Sequence, residues 1–406
     1  MKKQAFYISL LSVFSLVACT HQPPSQEQFN EPLDRSSSGL ESPGDPTLSS
    51  STTSSATSSV PVDEFGVPVN DFHTPKQYAY LTDPNWTSIK TYVPEVGQGI
   101  DESDPKAISL KFDDVADAGH YYVQVVKGRN DFTHAETHET TKKSYDLWNA
   151  ELGQTYYYRA AVSQSALSAA PVKQLKVNDL APRNLNVGNI INFRDIGGWK
   201  SSLIPNGVVR QGLYYRCAKL DSIDEEGKKI IKELNITVNI DMRDRFQVPR
   251  TSPANTEDHP VTIVRASIPS GTEDQRFAEY DDVYKLIFEK IADSGNNPII
   301  IHCTHGADRT GITSFFLLAL LGVSIEDCGR DYSFTRLAGE REVWHEVEFD
   351  AWVSATEQLE GATFADKMKT HLMSKGISED TLETIRELYV PGYSRNASNT
   401  EKVSAP

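Results

Sequence analysis

Four patterns of hydrophobic and polar positions succeed one another along the chain. An apolar run follows Lys2 and Lys3 and ends at Val17, too short for a membrane span. Residues 20–70 are rich in Ser, Thr, Pro and Gln, and residues 48–59 are nearly all small and polar. Such a segment buries too little apolar surface to order itself, which predicts a disordered tether. From about Pro75 to Val177 the period is two. Ile108, Leu110 and Phe112 alternate with polar residues, as do Tyr121, Val123 and Val125 and later Tyr156, Tyr158 and Ala160, predicting the short strands of an all-β sandwich. Beyond Pro182, short apolar strands (208–210, 213–216, 236–240, 297–301) alternate with helical runs (222–234, 312–321, 344–359, 364–375, 378–388). This predicts an α/β domain with a mainly parallel sheet flanked by helices, binding its ligands outside the strands' carboxyl ends. The expected segments are a leader (1–18), the tether (19–72), the sandwich (73–180), the α/β domain (183–391) and a disordered tail (392–406).

The candidate chemistry lies in one turn of the α/β domain. His302-Cys303-Thr304-His305-Gly306-Ala307-Asp308-Arg309-Thr310-Gly311 joins a buried strand to a buried helix. A thiol at the strand's end meets loop N–H groups and the first turn of the next helix, all of which favour its anion. The same N–H groups can hold phosphate oxygens, and Arg309, six residues after Cys303, adds a planar bidentate fork. Thr310 can set its hydroxyl against the sulfur, and His302 is placed to orient the loop by hydrogen bonding.

This run resembles the Cys-x5-Arg-Ser/Thr signature loop of the protein tyrosine phosphatase superfamily, matching at His302, Cys303, Gly306, Arg309, Thr310 and Gly311. A rhodanese-type sulfur transferase also mounts a cysteine between strand and helix, without this glycine and threonine arrangement. Asn192-Phe193-Arg194-Asp195-Ile196-Gly197-Gly198 resembles a second signature, of a bacterial branch that includes secreted tyrosine and phosphoinositide phosphatases. Arg194 and Asp195 are expected to pair locally and shape the site floor. Asp241-Met242-Arg243 stands where the branch shows Asp-Leu-Arg, with Gln247 in place of a glutamate, and Asp241 and Arg243 are expected beside Cys303, Arg243 facing substrate.

The resemblance implies Cys303 as nucleophile, Arg309 with the amides of Thr304, His305, Gly306, Ala307, Thr310 and Gly311 as the phosphate cradle, and no metal or organic cofactor. An acid must protonate the leaving oxygen. No Trp-Pro-Asp tripeptide occurs, and in this branch the role falls to the loop aspartate, here Asp308; Asp274 and Asp281 are the alternatives. Phosphoinositide-active relatives often carry a lysine before that aspartate, where this chain has Ala307, so phosphotyrosine is the expected substrate and a phosphoinositide or inositol phosphate the alternative.

Leu16-Val17-Ala18-Cys19 resembles the bacterial lipobox, which makes Cys19 the lipid-bearing residue of an exported protein anchored to the cell membrane. Three cysteines then remain, too few and unpaired for a disulfide framework. Cys328 is expected to be packed on a helix, and Cys217 either to be packed or to form a regulatory disulfide with Cys303. Loss of Lys2 and Lys3 with the leader takes the net charge from −16 to −18, which excludes nucleic acid as an expected partner. Leu152-Gly153-Gln154-Thr155-Tyr156 resembles the tyrosine corner of fibronectin type III domains, so the sandwich is a spacer, a recognition module or an appendage. The expected whole is a surface-tethered cysteine-dependent phosphatase acting on a phosphorylated protein or a phospholipid headgroup. A surface binding lipoprotein with a silent phosphatase fold is the reading from another class.

Overall fold

In the computed structural model of the chain the described residues are 69–85, Thr87, Ile89, Tyr92, 104–113, 119–270, 276–339 and 346–396. The leader with Cys19, most of the tether and residues from 397 onward lie outside them. None of the described helices is long and apolar enough to cross a membrane.

The first described elements are β1 (Val69–Asn70), within the segment expected as tether, and helix α1 (Pro75–Thr82), which replaces the strand pattern expected from Pro75. The helix forms because its start is locally encoded. Thr74 Oγ1 accepts from the Gln77 N–H while Gln77 Oε1 accepts from the Thr74 N–H, and Pro75 occupies a position where its missing N–H has no partner to lose. Gln77 Nε2 then donates to the Leu337 carbonyl at 2.8 Å and the Tyr80 hydroxyl to that of Arg330 at 3.2 Å, fixing α1 to the later domain.

The strands β2 (Ile108–Lys111), β3 (Tyr121–Lys127), β4 (Thr137–Thr140), β5 (Ser144–Leu147), β6 (Thr155–Ala161) and β7 (Lys173–Val177) build two sheets. One has the order β1-β7-β6-β3-β4, antiparallel except for the β1–β7 pair, and the other is β2-β5. Alternation buries Ile108, Leu110, Tyr156, Tyr158, Leu175 and Val177 in one cluster, and the Tyr158 hydroxyl donates to the Lys111 carbonyl across the sheets at 3.0 Å. Tyr156 Oη accepts from the Glu151 N–H at 2.9 Å, which ties the start of β6 to the turn before it.

The second half runs β8 (Arg183–Asn184), β9 (Arg194–Asp195), β10 (Lys200–Ser201), β11 (Gly207–Val208), β12 (Tyr214–Cys217), α2 (Glu225–Glu233), β13 (Val238–Asp241), β14 (Thr262–Arg265), α3 (Asp281–Ala292), β15 (Ile299–His302), α4 (Asp308–Leu320), α5 (Ile325–Phe334), α6 (Glu346–Glu357), α7 (Phe364–Ser374) and α8 (Glu379–Tyr389). Its sheet has the order β14-β13-β15-β12-β9-β8, the first four strands parallel and β9 and β8 antiparallel. Ile300 of β15 joins the apolar cluster holding Ile230 and Ile231 of α2, whereas Ile299 and Ile301 join the one holding Phe316 of α4 and Ile287 of α3. Burial on both faces is why β15 reads as an unbroken apolar run.

The two halves belong to one compact unit. The corner before β6 is bound to the α/β domain by side chains that mimic strand pairing. Gln211 accepts from the Leu152 N–H at 2.9 Å and donates to its carbonyl at 3.0 Å, and Asn149 makes the same exchange with the main chain of Asn186. At the far end, order extends past the expected boundary at residue 392. Tyr393 donates to Glu383 at 2.6 Å and Arg395 pairs with Asp380 and Glu387 on α8, which fixes this stretch through residue 396.

Buried His371 of α7 stacks on Phe277 with ring centroids 4.1 Å apart. Burial, aided by Lys375, pushes its imidazole down to about 4, so the folded chain keeps it neutral. A free histidine titrates near 6.5, so below about pH 6.5 the unfolded chain binds a proton the folded one refuses, and stability falls as pH drops toward 4. His371→Leu is expected to flatten the fall in Tm between pH 6.5 and 4; an unchanged slope would assign that acid sensitivity to other groups.

Candidate active site

The parallel strands end level with one another. Cys217 of β12 and Asp241 of β13 are both in register with His302 of β15, and Arg265 of β14 with Asp241. Cys303 follows His302 at this edge, 1 % exposed, and Asp308 begins α4. The loop between them is held from outside by its carbonyls. Asn192 Nδ2 donates to the His305 carbonyl at 3.0 Å, and Arg216 Nη2 to that of Gly306 at 2.7 Å. Because each peptide is planar and trans, tying these carbonyls on one side directs the N–H of the following residue to the other, and the Thr310 N–H bonds the Cys303 sulfur. Gly306 permits this with φ +70°, and a Cβ there would lie 2.2 Å from the Cys217 carbonyl oxygen.

Burial opposes a charge on Cys303, yet Arg309, the Thr310 hydroxyl and the Thr310 N–H together outweigh it and hold the thiol below its usual range. Arg309 is buried, with Nη1 donating to the Ile268 carbonyl at 3.0 Å and Nη2 to Thr304 Oγ1 at 3.3 Å, so its planar fork is set before any ligand arrives. Asp308 is partly exposed in the first turn of α4, where its charge opposes that of Cys303 and also acts on Tyr332. Asp281 opens α3 and pairs with Lys375 at 3.1 Å, while Asp274 lies outside the described residues. His302 Nδ1 lies 3.0 Å from the Cys303 carbonyl, and burial pushes the imidazole down. A neutral ring held there orients the start of the loop.

Two expected contacts are replaced by others. Arg194 and Asp195 do not pair, because neighbours in a strand point to opposite faces. Asp195 instead takes Arg183 at 3.3 Å and the N–H groups of Gly197 and Gly212. Arg194 Nε donates to Asp331 at 2.9 Å, and Arg216 Nη1 donates to the other oxygen of the same carboxylate at 2.6 Å. Arg243, expected to face substrate, is clamped between Asp241 (2.7 Å) and Asp221 (2.6 Å), with Asp241 Oδ2 in turn 3.7 Å from His302 Nε2. Its guanidinium therefore braces the site floor.

Asp331, Arg216 and Asn192 are the functional residues that the sequence reading passed over. Burial disfavours charge on Asp331, but Arg194 and Arg216 reverse that and hold its carboxyl below the usual range. Burial and Arg216 push Arg194 down to about 10, which leaves it charged at neutral pH. The available signal was that two arginines in short buried strands, without an acid on their own face, require a distant carboxylate.

Cys217 is buried against the outside of the loop and unpaired, its thiol pushed well up by burial and then by Cys303. Cys328 is likewise buried and free, packed on α5.

A tyrosine-protein phosphatase of Nostoc commune is 26% identical over 140 residues, covering 30% of this chain and 48% of that protein, so the chain spans about half the length of that relative. A putative tyrosine-protein phosphatase of Cupriavidus necator is 25% identical over 189 residues, 41% of this chain and 68% of the relative. Among solved structures, P. aeruginosa TpbA aligns at 14% identity over 44% of this chain and 96% of its own, with a TM-score of 0.29. The catalytic core of the S. cerevisiae phosphatase SIW14 aligns at 14% over 41% and 90%, with a TM-score of 0.27. The description "Tyrosine phosphatase family" matches residues 185–402, more than half of the chain and all of the loop just described, and the chain belongs to that family.

Proposed function

We propose that the chain is a cysteine-dependent phosphatase that hydrolyses phosphotyrosine in proteins. The observation that carries this is a buried cysteine whose thiol is held below its usual range, at the start of a loop whose carbonyls are fixed by Asn192 and Arg216, with a preset arginine fork beside it. In this reading the phosphoryl oxygens accept from the loop N–H groups and Arg309. Cys303 sulfur attacks phosphorus as the phosphorus–oxygen bond to tyrosine breaks, and Asp308 gives its proton to the departing oxygen. Water then attacks the phospho-cysteine, Asp308 takes the proton, and the thiolate leaves with help from the Thr310 hydroxyl. Both curated relatives carry the name tyrosine-protein phosphatase, and Ala307 adds no charge for a polyphosphorylated headgroup.

The test is phosphate release from a phosphotyrosine peptide, a phosphoserine peptide and a phosphoinositide. The first is expected to be turned over fastest, with all turnover lost in Cys303→Ser; faster turnover of the phosphoinositide would reassign the substrate. Asp308→Asn is expected to lower kcat on the phosphotyrosine peptide by about a hundred- to ten-thousand-fold. On para-nitrophenyl phosphate, whose leaving group needs no proton, the loss should be small. Equal losses on both substrates would move the acid role elsewhere.

The same reading exports the chain and anchors it through Cys19, with the β-rich half as a fibronectin type III-like module. Fatty-acid labelling that disappears in Cys19→Ala would support the anchor, and unchanged labelling would remove it.

A further inference from the structure

Three charged side chains at the carboxyl edge of the sheet form one chain that ends on His302. Asp221, in the turn after β12, accepts from Arg243 Nη1 at 2.6 Å and from Nη2 at 2.9 Å. Arg243 gives its Nε and Nη2, at 3.0 and 2.7 Å, to the two oxygens of Asp241, whose Oδ1 also accepts the Arg243 main-chain N–H at 3.0 Å. Asp241 Oδ2 then lies 3.7 Å from His302 Nε2, with both side chains fully buried.

The other side of the ring fixes its proton. A carbonyl oxygen only accepts, so Nδ1, 3.0 Å from the Cys303 carbonyl, carries the hydrogen. Nε2 has no hydrogen-bond partner among the described residues. A second proton there would make an imidazolium paired with Asp241, and a buried carboxylate draws that proton unless its charge is already met. Arg243 meets it. Burial is the first influence against a charged ring; Asp241 and the Cys303 carbonyl oppose burial, Arg243 supports it, and Asp221 again opposes it. Cys217 of β12, in register with His302, stays neutral because burial pushes its thiol well up.

The state of this ring bears on the nucleophile one residue on. Against burial, Arg309 and Thr310 already hold the Cys303 thiol below its usual range. An imidazolium at His302 would add a further cation and lower the thiol again, and the nucleophilicity of a thiolate falls with the pKa of its thiol.

We propose that Arg243 is a positioning residue for Cys303: by occupying Asp241 it leaves His302 neutral with its proton on Nδ1, the tautomer that holds the Cys303 carbonyl. The inference rests on the reading of Cys303 as nucleophile and deepens it.

The test reads the thiol and the ring directly in the full chain. Alkylation of Cys303 by iodoacetamide is followed against pH in wild type, Arg243→Gln, Arg243→Lys and the double variant Asp241→Asn/Arg243→Gln. If Arg243 acted on Cys303 only as a distant cation, its loss would move the alkylation midpoint up. The expected result for Arg243→Gln is the opposite, a downward shift of about one pH unit, because the charge reappears on His302, one residue from the sulfur. Arg243→Lys keeps Asp241 paired and the double variant removes the carboxylate that draws the proton, so both stay near wild type. An upward shift in Arg243→Gln, or an equal shift in the single and double variants, overturns the proposal. Wild type supplies a check that needs no variant to fold: proton–nitrogen spectra of the histidine rings at pH 7 should show the His302 proton on Nδ1 alone, and an imidazolium or a proton on Nε2 overturns the proposal. Turnover that survives Cys303→Ser overturns the nucleophile reading and the proposal with it, and is told apart because the alkylation midpoints still follow the expected pattern.

Discussion

Arg309→Lys is expected to lower kcat/KM by about a hundred- to a thousand-fold, the scale of losing one set of transition-state hydrogen bonds. Lysine keeps the positive charge but not the planar fork, and its ammonium cannot reach the Ile268 carbonyl, Thr304 Oγ1 and two phosphoryl oxygens at once. Charge and geometry can therefore be separated. Burial works against the Cys303 thiolate and the Arg309 charge is the first influence that offsets it, so the pH at which Cys303 is alkylated should stay near wild type in Arg309→Lys and move upward in Arg309→Met. An equal upward shift in both variants would contradict the assignment of the lowered Cys303 thiol to the Arg309 charge.

Asp331→Ala is expected to produce the largest loss of stability, about 3–5 kcal/mol in urea unfolding, because it strands buried charge. Arg194, Arg216 and Asp331 are each at most 1 % exposed, and removing the one carboxylate leaves two guanidinium groups facing each other without compensation. The effect reaches the chemistry through Arg216, which also holds the Gly306 carbonyl. Asp331→Asn keeps the shape and some hydrogen bonds, so it should retain a folded chain with lowered kcat. If Asp331→Ala unfolds within about 1 kcal/mol of wild type, the triad does not support the loop in the way a buried pair does.

How much of this was legible in the sequence follows from how local each feature is. The strand ending at His302, the loop and the start of α4 are contiguous, and apolar runs on both sides mark them as buried, so the cradle and its nucleophile could be read directly. The supports of the loop could not. Arg194 and Asp331 are 137 residues apart, and Arg216 and the Gly306 carbonyl 90 apart, so their pairing depends on strand order, which no local pattern records. The adjacency of Arg194 and Asp195 suggested an ion pair, and the alternation of a strand undoes it. Arg243 shows a related limit: a cation at a strand's carboxyl end reads the same whether it meets substrate or, as here, two carboxylates. Helix α1 is a different kind of miss. Thr74, Pro75 and Gln77 spell a capping box with proline in the first turn, and the signal was outweighed by the period-two strands that follow.

The proposed hydrolysis requires a covalent phospho-enzyme on Cys303. Rapid quenching of the reaction with a phosphotyrosine substrate, followed by mass analysis of the peptides, tests it most directly. A transient phosphoryl group is expected on the peptide holding Cys303, formed in step with tyrosine release and absent in Cys303→Ser. Continued phosphate release by Cys303→Ser, or a phosphoryl group trapped on any other residue, would contradict it.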